Sequence, residues 1–207
     1  VAKGAGNVNI TVDKSLNVNL FGSYTIASGG YLFTLQNVFT KRFSINPGSN
    51  IIFNGDPYQA IIDVSATYTR SASTYNLISE YLVPGQDDEE ISRAQNASTY
   101  NILFELRGQL SQPDIQFNIE ISDLDPSIRT TVENKLALLR NNETDMNKQV
   151  FGLLLIGQFL PTNSGSAGGT NPNLLAQGVG NTISEFLSTQ LSYYLSDALN
   201  AFGSGIT

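Results

Sequence analysis

The 207-residue sequence contains no cysteine and no histidine. Without cysteine the chain can form neither a disulfide framework nor a thiolate metal site. Without histidine it lacks the commonest general base, the usual zinc ligand and the Ser-His and Cys-His pairs of nucleophilic catalysis. Its carboxylates are scattered through predicted turns and strand faces and form no paired-acid motif. We therefore expect no metal, no cofactor and no enzymatic activity.

Charged residues are also scarce, at 14% of the chain, compared with about a quarter in a typical soluble domain. The net charge is -7, and lysine and arginine are nowhere clustered. Binding to nucleic acid depends on a basic patch, so we exclude it as a partner. Asn, Ser, Thr and Gln take the place of the charges, which suits the exposed strand faces of an envelope protein.

The sequence has no long hydrophobic run. The longest, from Val150 to Leu160, is half of the roughly 20 residues that a membrane-spanning helix needs, so it cannot cross a bilayer alone. The chain begins at Val1 rather than at methionine. We expect an internal or processed fragment of a longer protein, with its targeting information elsewhere.

Hydrophobic residues alternate with polar ones through much of residues 7–122, which predicts strands with one apolar face. Apolar residues before and after Asp13-Lys14-Ser15 predict a hairpin, and Ser28-Gly29-Gly30 and Asn46-Pro47-Gly48 predict further turns. The clearest alternation lies at 115–122. Residues 1–122 are therefore predicted to form a β-sheet, with a mobile acidic loop at about 84–98.

The period changes to that of helices after Asp125, which precedes Pro126 as a helix N-cap does. A second helix is predicted from Thr144 or Asp145 to Phe159, ended by Pro161. A Gly/Ser linker at 163–172 and an amphipathic helix through 175–199 complete a helical region at 123–207. The fold class is mainly β: a curved, open, antiparallel-rich sheet, a half-pipe or β-taco trough with an apolar concave face, followed by C-terminal helices.

Two alternatives remain for the apolar strand face. It packs under helices or a second sheet as an ordinary core, or it stays open as a binding surface for acyl chains or an unfolded strand. In the second case the groove is lined by the residues that follow: Tyr31, Phe33, Ile51, Phe53, Val64, Tyr68, Phe104, Ile115, Phe117 and Ile119.

The segment FGLLLIGQFL, residues 151–160, is apolar around most of its circumference, so something must enclose it. It is either a core helix or a helix covered by a partner or a membrane interface. Without that cover we expect residues 123–207 to be poorly ordered or aggregation-prone. The predicted partner-binding residues are these: Phe151, Leu154, Leu155, Phe159, Phe186, Leu191 and Tyr194.

Four phrases together resemble the C-terminal domain of the TamB family. SGGYLFTLQNVFTKRFSINPGSNIIFNGDPYQAIIDVSATY at 28–68 is similar to that family's run of strands with a Phe-x-Gly-Asp-Pro element. LRGQLSQPDIQFNIE at 106–120, NKQVFGLLLIGQFLP at 147–161 and ISEFLSTQLSYYLSDAL at 183–199 follow in the family's order. Gln158, where the family has a basic residue, and the acidic residues at 85–92 depart from its pattern.

The resemblance implies a periplasmic protein anchored in the inner membrane, whose C-terminal end meets the inner face of the outer membrane. It implies transfer of phospholipid to the outer membrane and docking on an Omp85-family, TamA-like barrel protein. The alternative is a scaffold or chaperone for nascent outer-membrane β-barrel proteins and secretion, without lipid transport. A plain structural or adhesin-like module is a third hypothesis, and an enzyme is the last.

Overall fold

The computed structural model describes residues 1–35 and 39–161. They form one curved seven-stranded antiparallel sheet that is not closed into a barrel, and helices follow the last strand. The strands are Ala2–Val12 (β1), Val18–Leu35 (β2), Phe39–Ile45 (β3), Asn50–Gly55 (β4), Ile61–Ser73 (β5), Ala97–Gln109 (β6) and Gln112–Asp123 (β7). Their order in the sheet is β1-β2-β3-β5-β6-β7, and β4 pairs with both β2 and β5. The fold class predicted from the alternating pattern is therefore confirmed.

The first two strands, β1 (Ala2–Val12) and β2 (Val18–Leu35), form the predicted hairpin. The Asp13 carboxylate stabilises the turn by accepting hydrogen bonds from the backbone N–H groups of Ser15, at 2.8 Å, and Asn17, at 2.9 Å. Short acidic side chains commonly close turns in this way. Local turn chemistry and strand alternation thus agree here.

The turn predicted at Ser28-Gly29-Gly30 is wrong, because β2 runs through it without reversing. At Gly29 the strand ends its pairing with β1 and begins its pairing with β3 (Phe39–Ile45). A register shift opposite Lys3 and Gly4 marks a bulge just before this exchange. Glycine in a strand often marks a bulge or a close approach of backbones rather than a turn.

The central strands are β4 (Asn50–Gly55) and β5 (Ile61–Ser73). The predicted turn between Asn46 and Gly48 precedes β4. The predicted break at Gly55-Asp56-Pro57 is also present, as a 3-10 turn over Pro57–Gln59 in which the Asp56 side chain accepts a hydrogen bond from the N–H of Tyr58. Proline cannot donate to a strand ladder, so the break falls where the sequence requires it.

The segment predicted as a mobile acidic loop at about 84–98 is largely helical. A short helix, α1 (Tyr75–Ile78), is followed by α2 (Asp88–Gln95). Asp87 and Asp88 accept hydrogen bonds from the backbone N–H groups of Val83 and Gly85, both at 2.8 Å, which fixes the approach to α2. Asp87 and Asp88 therefore act as local hydrogen-bond acceptors at the start of α2.

The longest ladder joins β5 with β6 (Ala97–Gln109) over 13 residue pairs, and β6 also pairs with β7 (Gln112–Asp123) over 11. The alternation predicted at 115–122 corresponds to β7, in which Ile115 and Ile119 are buried. Strand pairing and side-chain period therefore match along this edge of the sheet.

Two helices follow, α3 (Pro126–Arg140) and α4 (Glu143–Phe151). Asp125 caps α3 as predicted, and its carboxylate accepts a hydrogen bond from the N–H of Ser127. The cap of α4 is Asn142 rather than Thr144 or Asp145. A π-helical turn over Gly152–Ile156 extends α4 and ends at Gly157, not at Pro161.

After the π-helical turn the chain folds back on α4. The buried Gln149 amide donates to the carbonyl of Leu160 and accepts from its N–H, each at 2.9 Å, and Asn76 donates to the carbonyl of Phe159 at 3.1 Å. The expectation that the helical region needs a partner for its cover is therefore wrong for residues 126–161, because the sheet provides it. The predicted linker at 163–172 and helix at 175–199 lie outside the described residues.

Candidate functional site

The strand register places the predicted apolar residues on one face of the sheet. Residues directly opposite one another in antiparallel strands share a face. Phe104 pairs with Phe117 and Ala66, and Ile102 pairs with Ile119 and Tyr68. The helices pack on this face, which we call the apolar face.

The half of the apolar face on β6 and β7 is an ordinary core. Phe104, Ile115 and Ile119 are 4%, 7% and 0% exposed and belong to one cluster with the buried residues of α3 and α4. Aromatic rings connect the sheet to α4, because Phe117 lies 5.2 Å from Phe104 and 6.3 Å from Phe151 between ring centroids. Helices thus cover this half of the predicted groove.

One small crevice remains between sheet and helix. It has a volume of about 10 Å³ and its lining includes residues from both layers: Tyr31, Phe43, Phe104, Phe117, Phe151 and Leu154. Such a volume holds about one water molecule. This crevice is therefore too small for an acyl chain.

The outer part of the apolar face, on β1 and the adjoining residues of β2 and β4, is partly or fully exposed among the described residues. Val8, Ile10 and Val12 are 36%, 54% and 50% exposed. Ile10 pairs with Leu20, and Val8 and Phe53 both pair with Gly22 between them. We define the open stripe by six residues: Val8, Ile10, Val12, Leu20, Ile51 and Phe53.

Gly22 forms the floor of the open stripe. Its φ is +128°, and a Cβ atom there would lie 1.9 Å from the carbonyl oxygen of Asn7. Only glycine accommodates both the backbone conformation and this close approach. The absence of a side chain leaves a shallow track between Val8 and Phe53.

The structure therefore divides nine of the ten predicted groove residues among three surroundings. Ile51 and Phe53 are half-buried in the open stripe, whereas Phe104, Ile115 and Ile119 lie in the core. Half-buried residues at the edge of the core are the following: Tyr31, Val64, Tyr68 and Phe117. Phe33 lies in β2, and its side chain is outside the described part of the chain.

The predicted partner-binding residues within the described range face the chain's own sheet. Phe151, Leu154 and Phe159 are buried, and Leu155 packs against the same cluster. Contact of these side chains with another protein would require the helices to leave the sheet. Phe186, Leu191 and Tyr194 lie outside the described residues, so their role stays a prediction.

Sequence reasoning placed Val8, Ile10 and Val12 in a strand but left them out of the groove. The signal was present, since they alternate with Asn7, Asn9 and Thr11 as regularly as any strand in the chain. Alternation identifies an apolar face but does not tell which part of it stays uncovered. These three side chains are exposed because α3 and α4 pack on the other half of the apolar face, on β6 and β7.

Titratable groups near the core have structural surroundings. Burial raises the pKa of Tyr100 to about 12, although a 2.6 Å hydrogen bond with Thr74 opposes the shift. The hydrogen bond from Lys135 holds the pKa of the Glu80 carboxyl below its usual range. Among residues 1–35 and 39–161, no three acidic, histidine or cysteine side chains are grouped to hold a metal ion.

Comparison with protein-family models gives a match. A family model, described as the TamB C-terminal domain, matches residues 1–206. The chain belongs to the TamB C-terminal domain family. No curated protein and no solved structure matches it.

Membership of the TamB family associates the chain with the translocation and assembly module and with the cell envelope. This is a structural or transport family rather than a known enzyme family. No helix within residues 1–35 and 39–161 is long and apolar enough to span a membrane.

Proposed function

We propose that this domain conducts phospholipid at the outer-membrane end of a periplasm-spanning TamB protein, with the open stripe in contact with the acyl chains. The observation that carries the proposal is the exposure of Val8, Ile10 and Val12 on the apolar face of the sheet. Covering apolar surface contributes about 0.8 kcal/mol per buried CH₂ group. A stripe without polar contacts binds acyl chains without holding them at one position.

The covered half of the apolar face has a different role in this proposal. The core under α3 and α4 holds the sheet in its curved form, while the open stripe carries the lipid. Docking on an Omp85-family barrel and anchorage of the full protein in the inner membrane belong to the same proposal. They are supported by the family and not by any described contact.

The test is equilibrium binding of a fluorescent fatty acid to the purified chain. We expect Ile10→Asn to weaken binding several-fold, because it places a polar amide in the stripe. The matched control is Thr11→Asn, one residue along on the opposite face, which should leave binding unchanged. If both variants and the wild-type chain bound the fatty acid with equal affinity, the open stripe would not be the surface that binds acyl chains.

The edge of β1 favours a second candidate, a scaffold for nascent outer-membrane strands. All eleven residues of β1 are exposed, and no strand among the described residues pairs with its outer edge. An unprotected edge with a single charge, Lys3, is a template for strand addition. Backbone hydrogen bonds would then supply the affinity.

The two candidates predict different effects of edge charges. Lysine at Asn9 and Thr11 should block strand addition, as natural edge lysines do, while leaving the open stripe on the other face intact. We expect the Asn9→Lys, Thr11→Lys variant to bind fatty acid normally under the conduit proposal. Loss of peptide-strand capture with retained lipid binding would assign both roles to β1.

A further inference from the structure

Two cationic residues interrupt the apolar face at one end. Lys41 pairs with Phe33 on β2, and its Nζ lies 5.7 Å from the ring centroid of Tyr68. Arg70 follows Tyr68 on the same face of β5 and pairs with Tyr100. Because Ile45 pairs with Ala66, continuing that antiparallel register brings Lys41 level with Arg70.

No acidic strand residue shares this face within the described part of the chain. The acidic residues of the strands lie on the opposite face, by their pairing: Asp63, Glu105, Asp114, Glu120 and Asp123. There Arg107 forms ion pairs with two of them, Asp63 and Glu105. The strand carboxylates thus lie on the polar face rather than beside Arg70.

Arg70 carries a polar atom that lacks a protein acceptor. Its Nε is buried and has no hydrogen-bond partner among the described residues. A buried donor without an acceptor is destabilising, and such groups in native structures commonly bind an unseen water or ion. The guanidinium also lies under Gly157, where a Cβ atom would approach Nη2 to 2.2 Å. The loop after the π-helical turn therefore confines Arg70 from above.

The surface next to the two cations is apolar and partly open. Tyr68 and Val64 continue along β5 from Arg70, both half-buried, towards Ile51 of the open stripe. From Arg70 to Val64 the strand extends about 20 Å, at about 3.4 Å per residue. One leaflet of a bilayer core is roughly 15 Å thick, so an acyl tail fits along this length.

We propose that Arg70, assisted by Lys41, binds the phosphate of a phosphorylated amphiphile whose acyl tail lies along Tyr68 and Val64. The inference rests on the proposed function, because it assigns the head-group end of the same apolar surface. Guanidinium groups suit this role, since their planar fork donates two hydrogen bonds to phosphate oxygens at once. The site orders the head group, and the stripe beyond it leaves the tail mobile.

The test compares three ligands by isothermal titration calorimetry on the full chain. Lysophosphatidate has both phosphate and tail, monoacylglycerol has the same tail without phosphate, and glycerol 3-phosphate has the phosphate without the tail. The variant is Arg70→Gln, and the matched control is Arg42→Gln, which removes an exposed cation from the opposite face beside Lys41. Lys41→Gln provides a second variant in case Arg70→Gln fails to fold.

We expect lysophosphatidate to bind most tightly, and Arg70→Gln to weaken it about tenfold or more, as expected for loss of a charge-assisted hydrogen bond. Monoacylglycerol affinity should not change in either variant, and Arg42→Gln should behave as wild type. Unchanged lysophosphatidate affinity in Arg70→Gln and Lys41→Gln would overturn the head-group site while leaving the conduit proposal intact.

Two other outcomes are distinguishable. If glycerol 3-phosphate binds as tightly as lysophosphatidate and is equally sensitive to Arg70→Gln, the site takes a free phosphate group and the amphiphile is wrong. If neither tailed ligand binds the wild-type chain, the proposed function itself fails.

Discussion

The ring of Phe159 stands edge-on against the ring of Tyr100, with centroids 4.8 Å apart and planes at 82°. Both side chains are fully buried. Edge-to-face aromatic pairs add about 0.5–1.5 kcal/mol beyond the burial of their surface. Phe159 follows the π-helical turn, and Tyr100 lies in β6, so this pair fastens the end of the helical layer to the sheet.

Replacing Phe159 with alanine should therefore destabilise the domain strongly. We expect Phe159→Ala to lower the free energy of unfolding by about 3–5 kcal/mol, as large-to-small substitutions of buried aromatics do. Urea denaturation followed by circular dichroism measures the change. The control is Ile156→Ala, because Ile156 is 53% exposed. This substitution should change the free energy of unfolding by no more than about 0.5 kcal/mol. Similar losses in the two variants would contradict the described packing.

The ion pair between Glu80 and the buried Lys135 should make stability depend on pH. Its hydrogen bond lowers the Glu80 pKa from the ordinary value of 4.5. A carboxyl whose pKa is lowered by folding stabilises the folded state above its unfolded pKa, and this stabilisation is lost as pH falls through the folded value. Glu80→Gln cannot titrate, so it should lose less stability than wild type between pH 7 and pH 3. Parallel pH profiles of the two proteins would show that the pair has no such role.

Gly157 and Arg70 should be coupled in stability. Gly157 has a φ of +81°, and a side chain in this left-handed conformation costs about 1–2 kcal/mol. Gly157→Ala adds a clash with the Arg70 guanidinium. We therefore expect the free energy of unfolding to fall by more than the backbone strain alone would cause. Arg70→Ala should relieve the clash but not the backbone strain. A double-mutant cycle measures this coupling, and strict additivity of the two substitutions would argue against the described contact.

Much of the sheet could be predicted from the sequence because its signals are local. The hairpin around Asp13 and the alternation from Ile115 to Ile121 follow from residues that are neighbours in the chain. The predicted turn at Gly29-Gly30 was wrong for the opposite reason. Whether a glycine pair turns or continues depends there on β3, a strand that begins ten residues later.

The helix at Asp88–Gln95 was missed because its sequence is dominated by charge. One buried residue, Ala94, marks its apolar side, and that is too little for a periodic pattern. Arg93 joins Glu89 at 3.1 Å and Asp125 at 2.8 Å. Asp125 is 32 positions away in the sequence, so this stabilising contact has no local signature.

The division of the apolar face into a covered and an open part could not be read from alternation. Ile10 and Ile119 have the same sequence pattern, yet Ile10 is 54% exposed and Ile119 is fully buried. The difference is set by α3 and α4, whose positions depend on contacts distant in the chain, such as that of Phe159 with Tyr100. The hydrophobic periodicity shows which residues share the apolar face of the sheet. Tertiary packing determines which part of that face the helices cover.

The most direct test of the account is photo-crosslinking in cells from a probe at Ile10, with Asn9 as the outward-facing control and Ile119 as the buried control. Mass spectrometry identifies what each probe captures. We expect phospholipid at Ile10, none at Asn9, and crosslinks within the chain at Ile119. Phospholipid absent from Ile10, or captured equally at Asn9, would contradict the claim that the open stripe carries lipid.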